Sequence, residues 1–147
     1  MNLNNLFQNF CKKNNLEINS YQLTIIDELK SYYKSVSYTH LRAKFFSKNN
    51  SRLAFYLHGG VGVGKTMILN FFFNLVEEKK LRQHFNEFML SFHDFAHERK
   101  KNNEENIINQ FVKDLKSKTK LIYFDEFQVN NIVDAMILGK LFEQIFK

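Results

Sequence analysis

Gly59-Gly60-Val61-Gly62-Val63-Gly64-Lys65-Thr66 is the stretch on which the reading of this chain turns. It fits the spacing G-x-x-x-x-G-K-[ST], in which a glycine-rich loop joins a strand to a helix and wraps a phosphate chain. The flanks match that context. Leu53-Ala54-Phe55-Tyr56-Leu57 before it is a short apolar run, expected as a strand buried on both faces. Ile68, Leu69, Phe72, Phe73 and Val76 after it form the apolar stripe of a helix expected from about Gly64 to Lys79. Glycines in such a loop reach backbone conformations closed to other residues, which turns N–H groups toward phosphate oxygens. The start of the following helix adds free N–H groups and a positive dipole end. Lys65 is expected to reach the β- and γ-phosphates, and the Thr66 hydroxyl to coordinate Mg²⁺. Val61, Val63 and Met67 complete the candidate nucleotide-binding set with the glycines. A glycine turn that merely precedes a helix is the bland alternative.

Against that alternative stands Leu121-Ile122-Tyr123-Phe124-Asp125-Glu126, four apolar residues ending in two carboxylates. Ligands of open α/β sheets bind beyond the carboxyl ends of the strands, so Asp125 is expected at the same edge as the phosphate loop. Its carboxylate suits Mg²⁺, a hard cation that prefers oxygen ligands. Glu126 next to it is the candidate general base that orients or deprotonates an attacking water, with Lys65 as its partner in catalysis. No Asn-Lys-x-Asp or Thr-Lys-x-Asp stretch is present to read guanine, which favours ATP over GTP.

Around these motifs the chain alternates helices and strands. Leu3, Leu6, Phe7 and Phe10 fall on one helical face, and Asn19-Ser20-Tyr21-Gln22 offers a capping box ahead of a stripe through Ile25, Leu29, Tyr32 and Val36. Residues 39–50 read as a loop. A second strand is expected near His84 to Leu90, a polar helical region from about Asp94 to Leu115, a third strand over 121–124, and a last helix from about Val129 to the end. The expected fold is therefore α/β: a P-loop nucleotide-hydrolase fold, three layers α/β/α around a parallel sheet. An N-terminal helical segment over 1–50 is set apart from the nucleotide-binding core over 51–147.

The 147 residues are about one domain's worth, and 44% hydrophobic against 24% charged residues describes a globular chain rather than a disordered one. The 17 phenylalanines, with no proline or tryptophan, read as the compositional bias of an A/T-rich genome. A single cysteine, Cys11, allows neither an internal disulfide nor a cysteine zinc site and fits a reducing cytoplasm. No apolar run is long enough to span a bilayer. Net charge is +6, but the lysines are spread along the chain, which argues for a solvated surface and against a nucleic-acid partner. His93 and His97 lie four apart, yet no third ligand makes them a metal site.

Phe124-Asp125-Glu126-Phe127-Gln128-Val129, followed by Ile132 and by Asp134-Ala135-Met136-Ile137-Leu138, resembles the signature of the ZapE-type ATPases of bacterial cell division and their mitochondrial relatives, an AAA+ family. The phosphate loop and Lys80-Leu81-Arg82-Gln83-His84-Phe85 resemble the family too, so the likeness covers about residues 52–142. The resemblance implies Mg-ATP hydrolysis that remodels or removes protein partners, with a partner at the division site or membrane. It also implies a cytoplasmic protein, peripheral at the inner face of the membrane. Family members continue into further strands, a polar sensor, an arginine finger and a helical lid, whereas here only Lys140 and Lys147 are basic after Glu126. The sheet is accordingly expected to be incomplete on its C-terminal side, hydrolysis to be weak, and a second polypeptide to supply the missing part. Two other functions compete: a non-catalytic nucleotide-binding fragment from a truncated or split gene, and an ATP-dependent nucleic-acid loader.

Overall fold

Apolar residues repeating at helical spacing decide most of the elements, and a computed structural model shows where each one falls. It describes residues 3–42, 54–60, 62–102 and 104–147. The described chain packs as two compact units, Met1–Leu75 and Val76–Lys147. The boundary expected near residue 50 lies outside the described residues, as do Leu53, Val61 and the end of the loop expected over 39–50.

The first unit contains α1 (Leu3–Lys13), α2 (Ser20–Arg42) and α3 (Lys65–Leu75). In α1 the apolar stripe buries Leu3, Phe7 and Cys11, and burial pushes the Cys11 thiol above its ordinary pKa. The capping box at the start of α2 forms as expected. Asn19 Oδ1 accepts the Gln22 N–H at 2.9 Å, and Gln22 Oε1 accepts the Asn19 N–H at 3.1 Å. Ile26, Leu29 and Tyr32 face the core, so Ile26 takes the place expected of Ile25. From α3 come Ile68, Phe71 and Phe72. Phe71 meets Phe7 edge-on at 5.1 Å between ring centroids, and Phe72 meets Tyr33 at 5.8 Å. Both are favourable aromatic geometries.

Two expectations fail in this unit. Residues 54–57 join no strand ladder, and Tyr56 is 69% exposed, so this run is not a strand buried on both faces. A strand needs a neighbour to take its N–H and C=O groups, and no described segment pairs with it. The helix after the loop also ends earlier than expected, at Leu75 rather than near Lys79.

The second unit runs β1 (Lys80–His84), α4 (Phe85–Lys101), α5 (Ile107–Lys118), β2 (Leu121–Asp125) and α6 (Ile132–Ile145). The strands pair in parallel, Lys80 opposite Leu121 through His84 opposite Asp125. Helices must then carry the chain from the end of one strand back to the start of the next. The strand expected over 84–90 lies earlier, because Phe85, Phe88, Met89 and Phe92 are a 3.6-residue repeat and all four are buried in α4. Glu87 starts this helix by accepting the His84 N–H at 3.4 Å. The single helical region expected over 94–115 is two helices, broken before Asn106, which adopts a left-handed φ of 58°. These residues close a phenylalanine-rich core with Phe111, Val112, Leu138 and Leu141, against which Phe124 and Phe127 pack. Phe85–Phe127 and Phe88–Phe124 ring centroids stand 4.6 and 4.8 Å apart. Helices and parallel strands in this order make the chain an α/β protein of the P-loop type, as the sequence leads one to expect. Among the described residues no helix is long and apolar enough to cross a membrane.

Candidate functional site

In the first unit, the glycine loop ends where α3 begins, so Lys65 is the first helical residue and Thr66 the second. Gly62 and Gly64 take φ of 83° and 86°, where a side chain would be strained. Thr66 is exposed at the helix start and Met67 partly buried behind it. The Lys65 ammonium folds back on its own loop, donating to the carbonyl oxygens of Gly59 at 2.9 Å and Gly60 at 2.6 Å. Gln22 of α2 lies against the same loop. It is buried, and its Nε2 sits 2.9 Å from the point a Cβ on Gly64 would occupy.

Asp125 and Glu126 lie in the second unit, at the end of β2. Side chains alternate along a strand, so Arg82 and His84 of β1 share one face with Tyr123 and Asp125 of β2. On the other face Phe124 enters the core. Arg82 Nε donates to Asp125 Oδ2 at 2.7 Å, and its guanidinium lies over the Tyr123 ring, 5.1 Å from the centroid. Desolvation pushes the Asp125 carboxyl up, but hydrogen bonds from Arg82 and Tyr123 outweigh it and hold the group below the usual carboxylate range. The same contact raises Arg82, and burial followed by the Asp125 contact raises the Tyr123 phenol. Glu126 is different. Its side chain is 80% exposed, and its Oε2 lies 3.9 Å from His84 Nδ1. Its backbone sits at a φ of 49°, the left-handed region a glutamate rarely adopts, and strain of this kind gathers at functional sites.

Neither Arg82 nor Gln22 was a candidate site residue on sequence grounds. For Arg82 a trace existed: Lys80, Arg82 and His84 alternate with Leu81 and Gln83, the period of a strand with a basic face. His93 Nε2 lies 2.9 Å from Asp134 Oδ1 at the start of α6.

The family model of the AFG1-like ATPases matches residues 4–147. This chain belongs to that family. The match takes in α1 and α2, further toward the N-terminus than the likeness over 52–142. Lactation elevated protein 1 homolog B of Danio rerio is 40% identical over 111 residues, 69% of this chain and 22% of that protein. Cell division protein ZapE of Escherichia coli K12 is 40% identical over 94 residues, 62% of this chain and 24% of that one. The chain therefore spans about a quarter of the length of these curated relatives. No solved structure matches it. Membership makes it an AAA+ ATPase-family chain and implies a nucleotide as its ligand.

Proposed function

We propose that this AFG1-like chain binds Mg-ATP through Gly59–Met67 and hydrolyses it with Asp125 and Glu126. The observation that carries the reading is Lys65, the first residue of α3, anchored on the carbonyls of its own glycine loop in a family of ATPases. An ammonium held that way is already aimed into the loop, and exchanging two carbonyls for phosphate oxygens costs it little. Gly60, Val61, Gly62, Val63 and Gly64 offer backbone N–H groups to the phosphates. Thr66 and Asp125 are the proposed ligands of Mg²⁺, one a hydroxyl, the other a carboxylate that already holds a cationic partner in Arg82. Such hard oxygen donors fit the ion, which supplies charge neutralisation on the phosphates. Glu126, exposed at the strand end, takes a proton from water or orients it.

The bacterial relative is named a cell division protein. We carry that role over as a cytoplasmic activity at the inner face of the membrane, directed at a protein partner. A non-catalytic nucleotide-binding role is the competing reading, and Glu126 decides between the two. Lys65→Ala removes charge-assisted hydrogen bonds contributing roughly 1.5–3 kcal/mol each, so ATP affinity should fall at least tenfold by calorimetry. Glu126→Gln should still bind ATP but turn it over more slowly. Undiminished affinity in the first variant sinks the phosphate loop. Wild-type turnover in the second sinks the base, and an absence of turnover in the unaltered protein leaves the non-catalytic reading standing.

A further inference from the structure

Arg82 of β1 already occupies the Asp125 carboxylate. Its guanidinium stands where the divalent cation of Asp125 would have to act, 2.7 Å from Oδ2, on a carboxylate only 15% exposed. The placement is built rather than incidental. Parallel pairing puts Arg82 beside Tyr123 and one step from Asp125 on the same sheet face, and the Tyr123 ring beneath the guanidinium fixes its plane. Mg²⁺ needs ligand oxygens at about 2.0–2.1 Å in near-octahedral order. A carboxylate oxygen committed to an N–H donor is a poor ligand for it, and a doubly charged ion is repelled by a guanidinium on the same carboxylate.

We propose that Arg82 is the resident counter-cation of Asp125, displaced when Mg-nucleotide loads, so that Arg82 and the metal compete for one carboxylate. Without nucleotide the pair keeps Asp125 from standing as an unpaired charge and staples β1 to β2. With nucleotide, Arg82 must swing from Oδ2, and its 38% exposure leaves a path toward solvent. The inference rests on Asp125 being the metal ligand, so the test separates the two claims.

The measurement is the ratio of ATP affinities in excess Mg²⁺ and in chelator, by calorimetry on the full chain, with a melting curve of each variant in the absence of nucleotide. Partly exposed ion pairs are modest, so Arg82→Gln should raise this ratio roughly threefold to tenfold while lowering the melting temperature. Arg82→Lys, which keeps a charge but loses the fixed Nε–H, should raise it less and serves if the glutamine variant does not fold. A purely structural role would lower the melting temperature and leave the ratio alone. An unchanged or smaller ratio in the folded variants overturns the proposal. In Asp125→Asn the ratio should collapse toward one. If it stays at the wild-type value, the assignment of Asp125 as metal ligand falls and the Arg82 inference with it. If it collapses while the Arg82 variants show no rise, only the Arg82 inference is lost.

Discussion

At Gly64 the backbone sits at φ 86°, and the Gln22 amide fills the space on its Cα side. The two constraints differ in cost. The amide is the end of a buried side chain held by the Asn19 N–H, so making room for a methyl group strains that cap, while the positive φ cannot be relieved at all without reshaping the loop. Gly64→Ala should therefore cost about 1–3 kcal/mol, the range for a non-glycine residue held in a sparse backbone region. Urea denaturation of the nucleotide-free protein reads it, and a loss under about 0.5 kcal/mol would mean that the loop is slack enough to re-form around an alanine. The contrast between Lys65 and Arg82 shows what single residues reveal before a structure exists. Lys65 acts through its immediate chain neighbours, so its spacing from Gly59 suffices to find it. Arg82 acts through Asp125, 43 positions away, and their meeting depends on a strand register that no local pattern contains.

Among the elements, those with a strong internal repeat were legible and those that depend on a partner were not. The Asn19–Gln22 box and the α1 stripe needed only nearby residues, and the 121–124 run is a strand because β1 is there to pair with it. Residues 54–57 have strand composition but no described strand to pair with, and 84–90 have enough apolar residues to resemble a strand while their 3.6-residue spacing makes a helix. Helix α6 carries a testable cap. Asn131 Oδ1 accepts the Asp134 N–H at 2.7 Å, its Nδ2 donates to Asp134 Oδ2 at 2.6 Å, and His93 of α4 holds the other oxygen. Asn131→Ala should cost about 1 kcal/mol. The hydrogen bond from His93, opposed by some desolvation and helped by Asn131, holds the Asp134 carboxyl below its ordinary range. The unfolded chain then takes up the proton first as pH falls. The stabilisation from Asp134 is complete above its unfolded pKa, about 3.9, and drains away as pH drops through the lower folded value. Asp134→Asn should flatten this acid limb in denaturant titrations between about pH 5 and 2. An acid limb as steep as wild type in that variant would assign the loss to other carboxylates.

Over the whole molecule, the proposed nucleotide ligands divide between the two compact units: the glycine loop, Lys65 and Thr66 in one, Asp125 and Glu126 in the other. Each unit has its own aromatic core, Phe7 with Phe71 and Phe72 in the first and Phe85, Phe88 and Phe92 in the second, so the opening of each is read from its own amides. A ligand held by only one unit protects the amides of that unit directly. A ligand held by both must raise the opening free energy of both, by about 2.7 kcal/mol when its concentration is 100 times the dissociation constant. Hydrogen exchange with and without Mg-ATP separates the cases. On the proposed function, protection should rise at the amides of residues 65–68 and, in the same sample, at those of residues 121–126. Lys65→Ala should lose both gains. Asp125→Asn, measured at a nucleotide concentration that saturates it, should keep the first and lose the second. Protection confined to the start of α3 in the unaltered chain would show that Asp125 and Glu126 take no part in holding the nucleotide, and would leave this AFG1-like segment a phosphate-binding module without its hydrolytic half.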